Sequence, residues 1–256
     1  MKPWITRVRA VRTTVIAPVL AGAALLVAAA ARAPHARTGS ITGIVDVAGT
    51  VSMSGTVVAP TAIDMSGDAY CQRVNSGRQV LERSVVADGQ GRLADVVIYV
   101  KEGAPRAAAP SAQDSVLLDQ QNCMYTPNAV AVRTNQALVI RNSDETLHNV
   151  HVKPSRNREF NIGQPLRGTR SRRTFGTPEV GIAVVCDIHG WMHASIAVFD
   201  HPWFAITREN GTFTIADLPP GDYVLEAWHA TLGTRQQRVT VTAAASAQVS
   251  FTFAAR

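Results

Sequence analysis

Short runs of apolar and β-branched residues, separated by turn residues, recur along most of the chain. Such runs are typical of β-strands because branched side chains suit a pleated, half-buried surface. After residue 31 no stretch shows the apolar spacing of an amphipathic helix. Strands are predicted at residues 41–47, 93–100, two within 129–140, 147–152, 182–185, 194–199, 211–215, 223–228, 237–241 and 248–253. This pattern predicts an all-β sandwich protein.

Turn residues mark the connections between several of these strands. Asn210-Gly211 separates residues 204–207 from 212–215, and an Asn-Gly pair favours the tight turn of a β-hairpin. We therefore expect these two runs to pair with each other. Residues 103–113 form a linker or long loop, and His201-Pro202 marks a second break. The segment between these two boundaries is long enough for a small sandwich.

The N-terminus has the pattern of a secretory signal peptide. Lys2, Arg7, Arg9 and Arg12 precede an apolar, uncharged run that ends in Ala29-Ala30-Ala31. Cleavage after Ala31 would leave 21 of the 25 basic residues against 19 acidic ones, so the mature chain would be near neutral. We therefore expect no nucleic-acid partner. The alternative is an uncleaved anchor, which would be the chain's only attachment to a membrane. Both alternatives place residues 32–256 outside the cytoplasm, in the periplasm or secreted.

The chain contains three cysteines, an odd number for an oxidising compartment. Cys71 and Cys123 lie in polar, loop-like surroundings, whereas Cys186 follows the apolar run 180–185. A Cys71–Cys123 disulfide is the most economical pairing. It leaves Cys186 as a free thiol for chemistry.

The segment Cys186-Asp-Ile-His189-Gly-Trp-Met192 places a thiolate, an imidazole and a thioether three residues apart. A type 1 copper site combines two imidazoles, one thiolate and a weak axial thioether. Zinc accepts a methionine ligand poorly, and a c-type haem would require Cys-x-x-Cys-His, which is absent. Each of these residues taken alone would be an ordinary buried side chain. The set as a whole favours copper.

A second imidazole is available about forty residues upstream, in the strand that contains His148, Asn149 and His151. Side chains alternate between the two faces of a strand, so His148 and His151 face opposite sides and only one of them is expected to bind the metal. A second metal site at His151 and His193 is an alternative, but surface histidines are the preferred interpretation.

These motifs together resemble the cupredoxin family, and within it the amicyanin-like proteins. The resemblance covers residues 114–199, which include Tyr125-x-Pro127 and the strand after Met192. It implies a Greek-key β-sandwich with one type 1 (blue) copper ion. Its ligands would be His148, Cys186, His189 and Met192. Asn149 would link the two ligand-bearing segments. The edge of the second histidine is usually exposed in this family, so we expect exposure at His189.

A second resemblance covers the C-terminus. Residues 204–223 resemble the carboxypeptidase regulatory-like domain, which is a transthyretin-like β-sandwich, and residues 39–45 and 93–99 resemble its opening strands. The expected organisation is therefore a signal peptide or anchor (1–31), an N-terminal β segment (39–105), a cupredoxin domain (114–199) and a second small β-sandwich (202–256). The N-terminal segment is expected to pair with the C-terminal sandwich.

The cupredoxin resemblance implies an exported electron carrier rather than an enzyme. Its partner would be another redox protein, a cytochrome or a dehydrogenase or oxidase. Residues 153–173 carry seven basic side chains and one acidic one, which would suit an acidic partner or form a solvated loop. The alternative function is an envelope or extracellular binding module whose copper site is vestigial or serves copper handling.

Overall fold

The computed structural model describes residues 39–48, 59–106, 114–242 and 247–255, so the expected signal peptide lies outside the described residues. The protein is all-β, as predicted, with one short helix. In chain order the elements are β1 (Gly39–Ala48), α1 (Ala69–Val74), β2 (Val97–Glu102), β3 (Ser115–Gln121), β4 (Met124–Thr126), β5 (Ala129–Arg133), β6 (Ala137–Asn142), β7 (His148–Lys153), β8 (Phe160–Gln164), β9 (Arg170–Arg173), β10 (Glu179–Val185), β11 (His193–Phe199), β12 (Phe204–Ile206), β13 (Thr212–Leu218), β14 (Gly221–His229), β15 (Gly233–Val241) and β16 (Ala247–Ala254).

Helix α1 has no counterpart in the sequence analysis. Asp68 caps its N-terminus by accepting a hydrogen bond from the Cys71 backbone N–H at 2.9 Å. The helix has six residues, and Cys71 is its one buried side chain, so no helical periodicity could appear in the sequence. Among the described residues, no helix combines the length and apolar character needed to cross a membrane.

The central part of the chain forms two sheets that face each other. One has the strand order β5-β11-β10-β7-β8, and the other has the order β4-β3-β6-β9. Apolar side chains from alternating positions of these strands fill the space between the sheets, as expected for a sandwich. The fully buried ones include Leu118, Ile140, Val150, Ile182 and Ile196. This core also contains Cys186 and Met192, so the predicted ligand loop is built directly onto it.

Strands from the two ends of the described chain share two further sheets, with the orders β13-β1-β16 and β12-β2-β14-β15. Strand β1 pairs antiparallel with β13 and parallel with β16, and β2 pairs antiparallel with β12 and β14. Their core includes Ile98, Phe213, Leu225, Phe251 and Phe253. The strands before residue 105 therefore hydrogen-bond to strands after residue 202.

The predicted hairpin at Asn210-Gly211 is wrong, although the turn itself is present. Gly211 has a φ of +70° and its N–H donates to the Arg208 carbonyl at 2.8 Å. However, β12 pairs with β2, whereas β13 pairs with β1 in the other sheet. After the turn the chain continues in the other sheet. Phe213 and Ile215 of β13 are buried in the core between the two sheets, and their burial favours this arrangement over a hairpin.

We expect Gly181→Ala to destabilise the fold. Gly181 lies in β10 with a φ of +85°, and a Cβ atom there would lie 2.9 Å from Trp228 Cζ2. Overpacking of this kind costs about 1–3 kcal/mol in free energy of unfolding, and the left-handed backbone adds strain. Urea denaturation measures the loss. Gly163→Ala in β8 is the control, because its Cβ would meet no atom within 4 Å. Equal losses in the two variants would contradict this account.

Candidate metal centre

The loop between β10 and β11 folds back on itself through two backbone hydrogen bonds. The Met192 N–H donates to the His189 carbonyl at 2.9 Å, and the Cys186 N–H donates to the Met192 carbonyl at 3.2 Å. The side chains of Cys186, His189 and Met192 are all buried. A short loop joining two paired strands therefore holds three of the predicted ligands in the protein interior.

His148 reaches the same place from the neighbouring strand. It begins β7, which pairs with β10 up to the contact between His151 and Val185. Its Nδ1 atom lies 3.0 Å from Nδ1 of His189, and Cys186 Sγ lies 3.8 Å from the same His189 atom. One donor atom from each of these three residues lies within 4.8 Å of the other two. The structure thus brings two imidazoles and a thiol together.

The outer nitrogens of both rings face carboxylates. Nε2 of His148 lies 2.9 Å from Asp144 Oδ2, and Nε2 of His189 lies 3.2 Å from Asp68 Oδ2. An ionised carboxylate only accepts hydrogen bonds, so each Nε2 carries a proton. The two Nδ1 lone pairs then face each other at 3.0 Å, and either a metal ion bound by both atoms or a proton on one of them removes the repulsion. The donor set therefore fits a bound metal ion.

The surroundings of Cys186 favour its thiolate form. Burial raises the pKa of the thiol, but the neighbouring His148 and His189 side chains and the backbone of Asn149 outweigh burial and lower the pKa to about 5. The His189 N–H lies 3.4 Å from Sγ. Since the thiolate is the form that binds metals, the site is ready for a metal at neutral pH.

Asn149 links β7 to the ligand loop. Its Oδ1 accepts a hydrogen bond from the Asp187 N–H at 2.8 Å, and its Nδ2 donates to Asp187 Oδ2 at 2.8 Å. His151 lies on the other face of β7 from His148, where its ring contacts Asp187 and Glu159. His151 is therefore outside the cluster of donor atoms, in agreement with the alternation of side chains along the strand.

The expected exposure of His189 is wrong, because the residue is only 2% exposed. Residues 60–82, which we call the cap segment, cover it. In addition to the contact with Asp68, Cys71 Sγ lies 3.7 Å from Nε2 of His189.

The predicted Cys71–Cys123 disulfide is confirmed, and it links the cap segment to the turn between β3 and β4. Trp191 packs on His189 with a distance of 5.0 Å between ring centroids and donates from Nε1 to the Cys123 carbonyl at 3.0 Å.

Two residues of this arrangement, Asp144 and Asp68, were not predicted from the sequence. Asp144 precedes His148 by four residues, and its position at the end of a strand was the only local signal. Asp68 has a local signal as a helix cap but lies 121 residues from the ring that it contacts. Nothing in the sequence near Asp68 indicates His189 as its neighbour.

No family model matches the sequence, and the search of curated proteins found no match. Among solved structures, the copper-containing nitrite reductase of Thermus scotoductus SA-01 is 22% identical over 40% of this chain and 25% of its own, with a TM-score of 0.31. Amicyanin from Paracoccus versutus is 20% identical over 40% of this chain and 96% of its own, with a TM-score of 0.30. A Cu(I) form of a methionine-to-alanine mutant of amicyanin is 19% identical over 40% and 97%, also at 0.30.

Proposed function

We propose that this chain is an exported type 1 copper protein that carries single electrons between redox partners. The observation that carries the proposal is the buried convergence of His148 Nδ1, His189 Nδ1 and Cys186 Sγ within 4.8 Å. Met192, fully buried in the same core, would supply the axial thioether. Two imidazoles, one thiolate and a thioether form the donor set of a blue copper site.

The copper ion would supply a one-electron couple between Cu(I) and Cu(II). The chain itself would fix the positions of the donor atoms and exclude water from them. His148, Cys186, His189 and Met192 are at most 3% exposed. Asn149 and the two backbone bonds of the loop fix the spacing of the ligands, which keeps their rearrangement small when the charge changes. Four protein ligands leave no open position for a substrate, which favours an electron carrier over an enzyme.

The proposed partner is an acidic redox protein, a cytochrome or a dehydrogenase or oxidase. The support is the basic character of residues 153–173. Arg170, Arg172 and Arg173 of β9 are exposed, as are Lys153 and Arg167. Charge complementarity of this kind speeds association with an oppositely charged surface.

The N-terminal pattern of residues 1–31 supports export to the periplasm or the cell exterior.

The second sandwich is proposed to be a discontinuous carboxypeptidase regulatory-like module. Its support is the pairing of β1 with β13 and β16, and of β2 with β12 and β14. In this arrangement the blue copper segment of residues 114–199 is inserted between the two parts of the module.

Reversible electron transfer tests the proposed function. Copper-loaded protein should accept one electron per chain from a one-electron reductant and return it to a one-electron oxidant, followed by stopped-flow absorption. Protein loaded with zinc is the control, because zinc has no redox chemistry. Copper that is released on reduction, or that binds without cycling, would favour the copper-handling alternative.

We expect Asn149→Ala to lower copper affinity by about 10- to 100-fold, as is usual when a group that supports the ligands is lost. The variant removes the hydrogen bonds that join β7 to Asp187 in the ligand loop. Competition with a copper chelator measures the affinity. Asn161→Ala is the control, because Asn161 also contacts Asn149 and Asp187, whereas it is Asn149 whose Oδ1 lies 3.3 Å from Cys186 Sγ. The same affinity in both variants would contradict the role of Asn149.

A further inference from the structure

The cap segment is a closed loop that lies over the ligand cluster. Its two ends are joined by hydrogen bonds, from the Ile63 N–H to the Val80 carbonyl and from the Glu82 N–H to the Thr61 carbonyl, both 2.9 Å long. Helix α1 lies between these ends. The blue copper resemblance begins at residue 114, so the cap segment is an addition from outside that part of the chain.

Several independent contacts fix the cap segment in place. The Cys71–Cys123 disulfide links α1 to the turn between β3 and β4. Asn75 Nδ2 donates to the Asn122 carbonyl at 3.1 Å. Met65 and Cys71 are buried in the same core as Cys186. The position of Asp68 relative to His189 is therefore determined by packing as well as by the hydrogen bond between them.

Asp68 uses both carboxylate oxygens. Oδ1 accepts from the Cys71 N–H at 2.9 Å, while Oδ2 lies 3.1 Å from Thr146 Oγ1 and 3.2 Å from His189 Nε2. Its side chain is 22% exposed, whereas that of His189 is 3% exposed. Asp68 thus stands between the imidazole edge and solvent.

Asp144 occupies the equivalent place at the other ring. Oδ2 accepts from the Cys123 N–H at 2.8 Å and faces His148 Nε2, while Oδ1 accepts from the Asn122 N–H at 2.7 Å. Tyr70 of α1 also donates to Asp144 Oδ1, at 3.2 Å. The cap segment thus contacts both carboxylates and brings them into one network around the two rings.

We propose that Asp68 and Asp144 are paired positioning residues that hold both imidazoles by Nε2–H, with Asp68 closing the His189 edge to solvent. The proposal rests on the proposed copper function. Each carboxylate fixes the tautomer that directs Nδ1 to the metal. Two negative charges beside the ligands also favour Cu(II) over Cu(I), because attraction is stronger for the more highly charged ion. The cap segment therefore tunes the copper site that it covers.

Asp68→Asn in the full, copper-loaded chain tests the proposal. Asparagine is also a good helix N-cap and has nearly the same shape, so α1 should persist while the charge is lost. We expect the preference for Cu(II) over Cu(I) to fall about tenfold, which raises the reduction potential by about 59 mV for a one-electron couple. Asp144→Asn should shift the potential in the same direction.

Asp64→Asn is the matched control. Asp64 belongs to the cap segment and accepts a hydrogen bond from the Ser66 N–H, and the structure gives it no contact with either histidine. We expect its reduction potential to equal that of the unaltered protein. Asp68→Ser provides a second test variant, since serine also caps helices but carries no carboxylate. It should raise the potential as Asp68→Asn does.

The ring nitrogens of the metal-free protein provide a readout that does not depend on copper. In ¹⁵N NMR spectra of neutral His189, the unaltered protein should show the Nε2–H tautomer, and Asp68→Asn should reduce that preference about tenfold. Unchanged potential and unchanged tautomer in Asp68→Asn and Asp68→Ser would overturn the proposal while leaving the copper function intact. If the unaltered protein binds no copper, the copper function fails, and the tautomer comparison still decides whether Asp68 positions the ring.

Discussion

Cys186→Ser is expected to abolish the intense visible absorption of the copper-loaded protein. That absorption, which the cupredoxin resemblance implies, requires charge transfer from a thiolate to copper. The Cys186 thiol has a pKa of about 5 and is therefore ionised at neutral pH. A serine hydroxyl does not ionise there and is a poor ligand for Cu(I), which prefers soft sulfur. Titration with Cu(II), followed by absorption, measures the loss.

His151→Ala is the control for this experiment. His151 belongs to the same strand as His148, but its ring contacts Asp187 and Glu159 rather than the donor cluster. We expect its copper complex to keep the absorption of the unaltered protein. A blue Cys186→Ser complex, or a His151→Ala variant without colour, would show that the ligand set has been assigned incorrectly.

Replacing both Cys71 and Cys123 with alanine is expected to produce the largest loss of stability. The disulfide joins residues 52 positions apart. Constraining the unfolded chain with a loop of that length stabilises the folded state by about 4 kcal/mol in the chain-entropy model. Both side chains are also fully buried, so truncation removes packing beneath α1. Urea denaturation of the metal-free chain, followed by tryptophan fluorescence, measures the change.

The double substitution is chosen because it leaves no unpaired thiol in the cap segment. Cys186→Ser is the comparison variant, since it keeps the disulfide and replaces one buried sulfur. We expect a clearly smaller loss of stability from Cys186→Ser than from the double variant. A loss from the double variant no larger than that from Cys186→Ser would contradict a stabilising role for the disulfide.

Most strands were predictable because their signal is local, whereas β3, β4, β8 and β9 were not predicted from the sequence. The alternation and β-branching of residues 137–142 or 247–254 depend on neighbours within a few positions. The pairing of the strands was harder to predict, because it depends on packing between distant segments. Strand β1 pairs with β16 through Ile41 and Ala247, which no local pattern indicates. The hairpin predicted at Asn210-Gly211 was wrong for the same reason. The turn has a local signal, but the strands on its two sides pair with distant segments.

The donor set of the site was visible in the sequence because three of its members lie within one seven-residue loop. The alternation of side chains along a strand showed that only one of His148 and His151 could be a ligand, and the cupredoxin resemblance selected His148. The cover over His189 could not be predicted, because it depends on where the Cys71–Cys123 disulfide places α1. The burial of His189 is thus a tertiary property of residues far apart in the chain.

The most direct test of the copper proposal is the absorption and EPR spectrum of the purified protein loaded with one equivalent of Cu(II). We predict a blue protein with intense visible thiolate-to-copper charge transfer and the narrow copper hyperfine splitting of a type 1 site. A colourless complex with the wide splitting of ordinary Cu(II), or a failure to bind copper, would contradict the assignment of His148, Cys186, His189 and Met192 as its ligands.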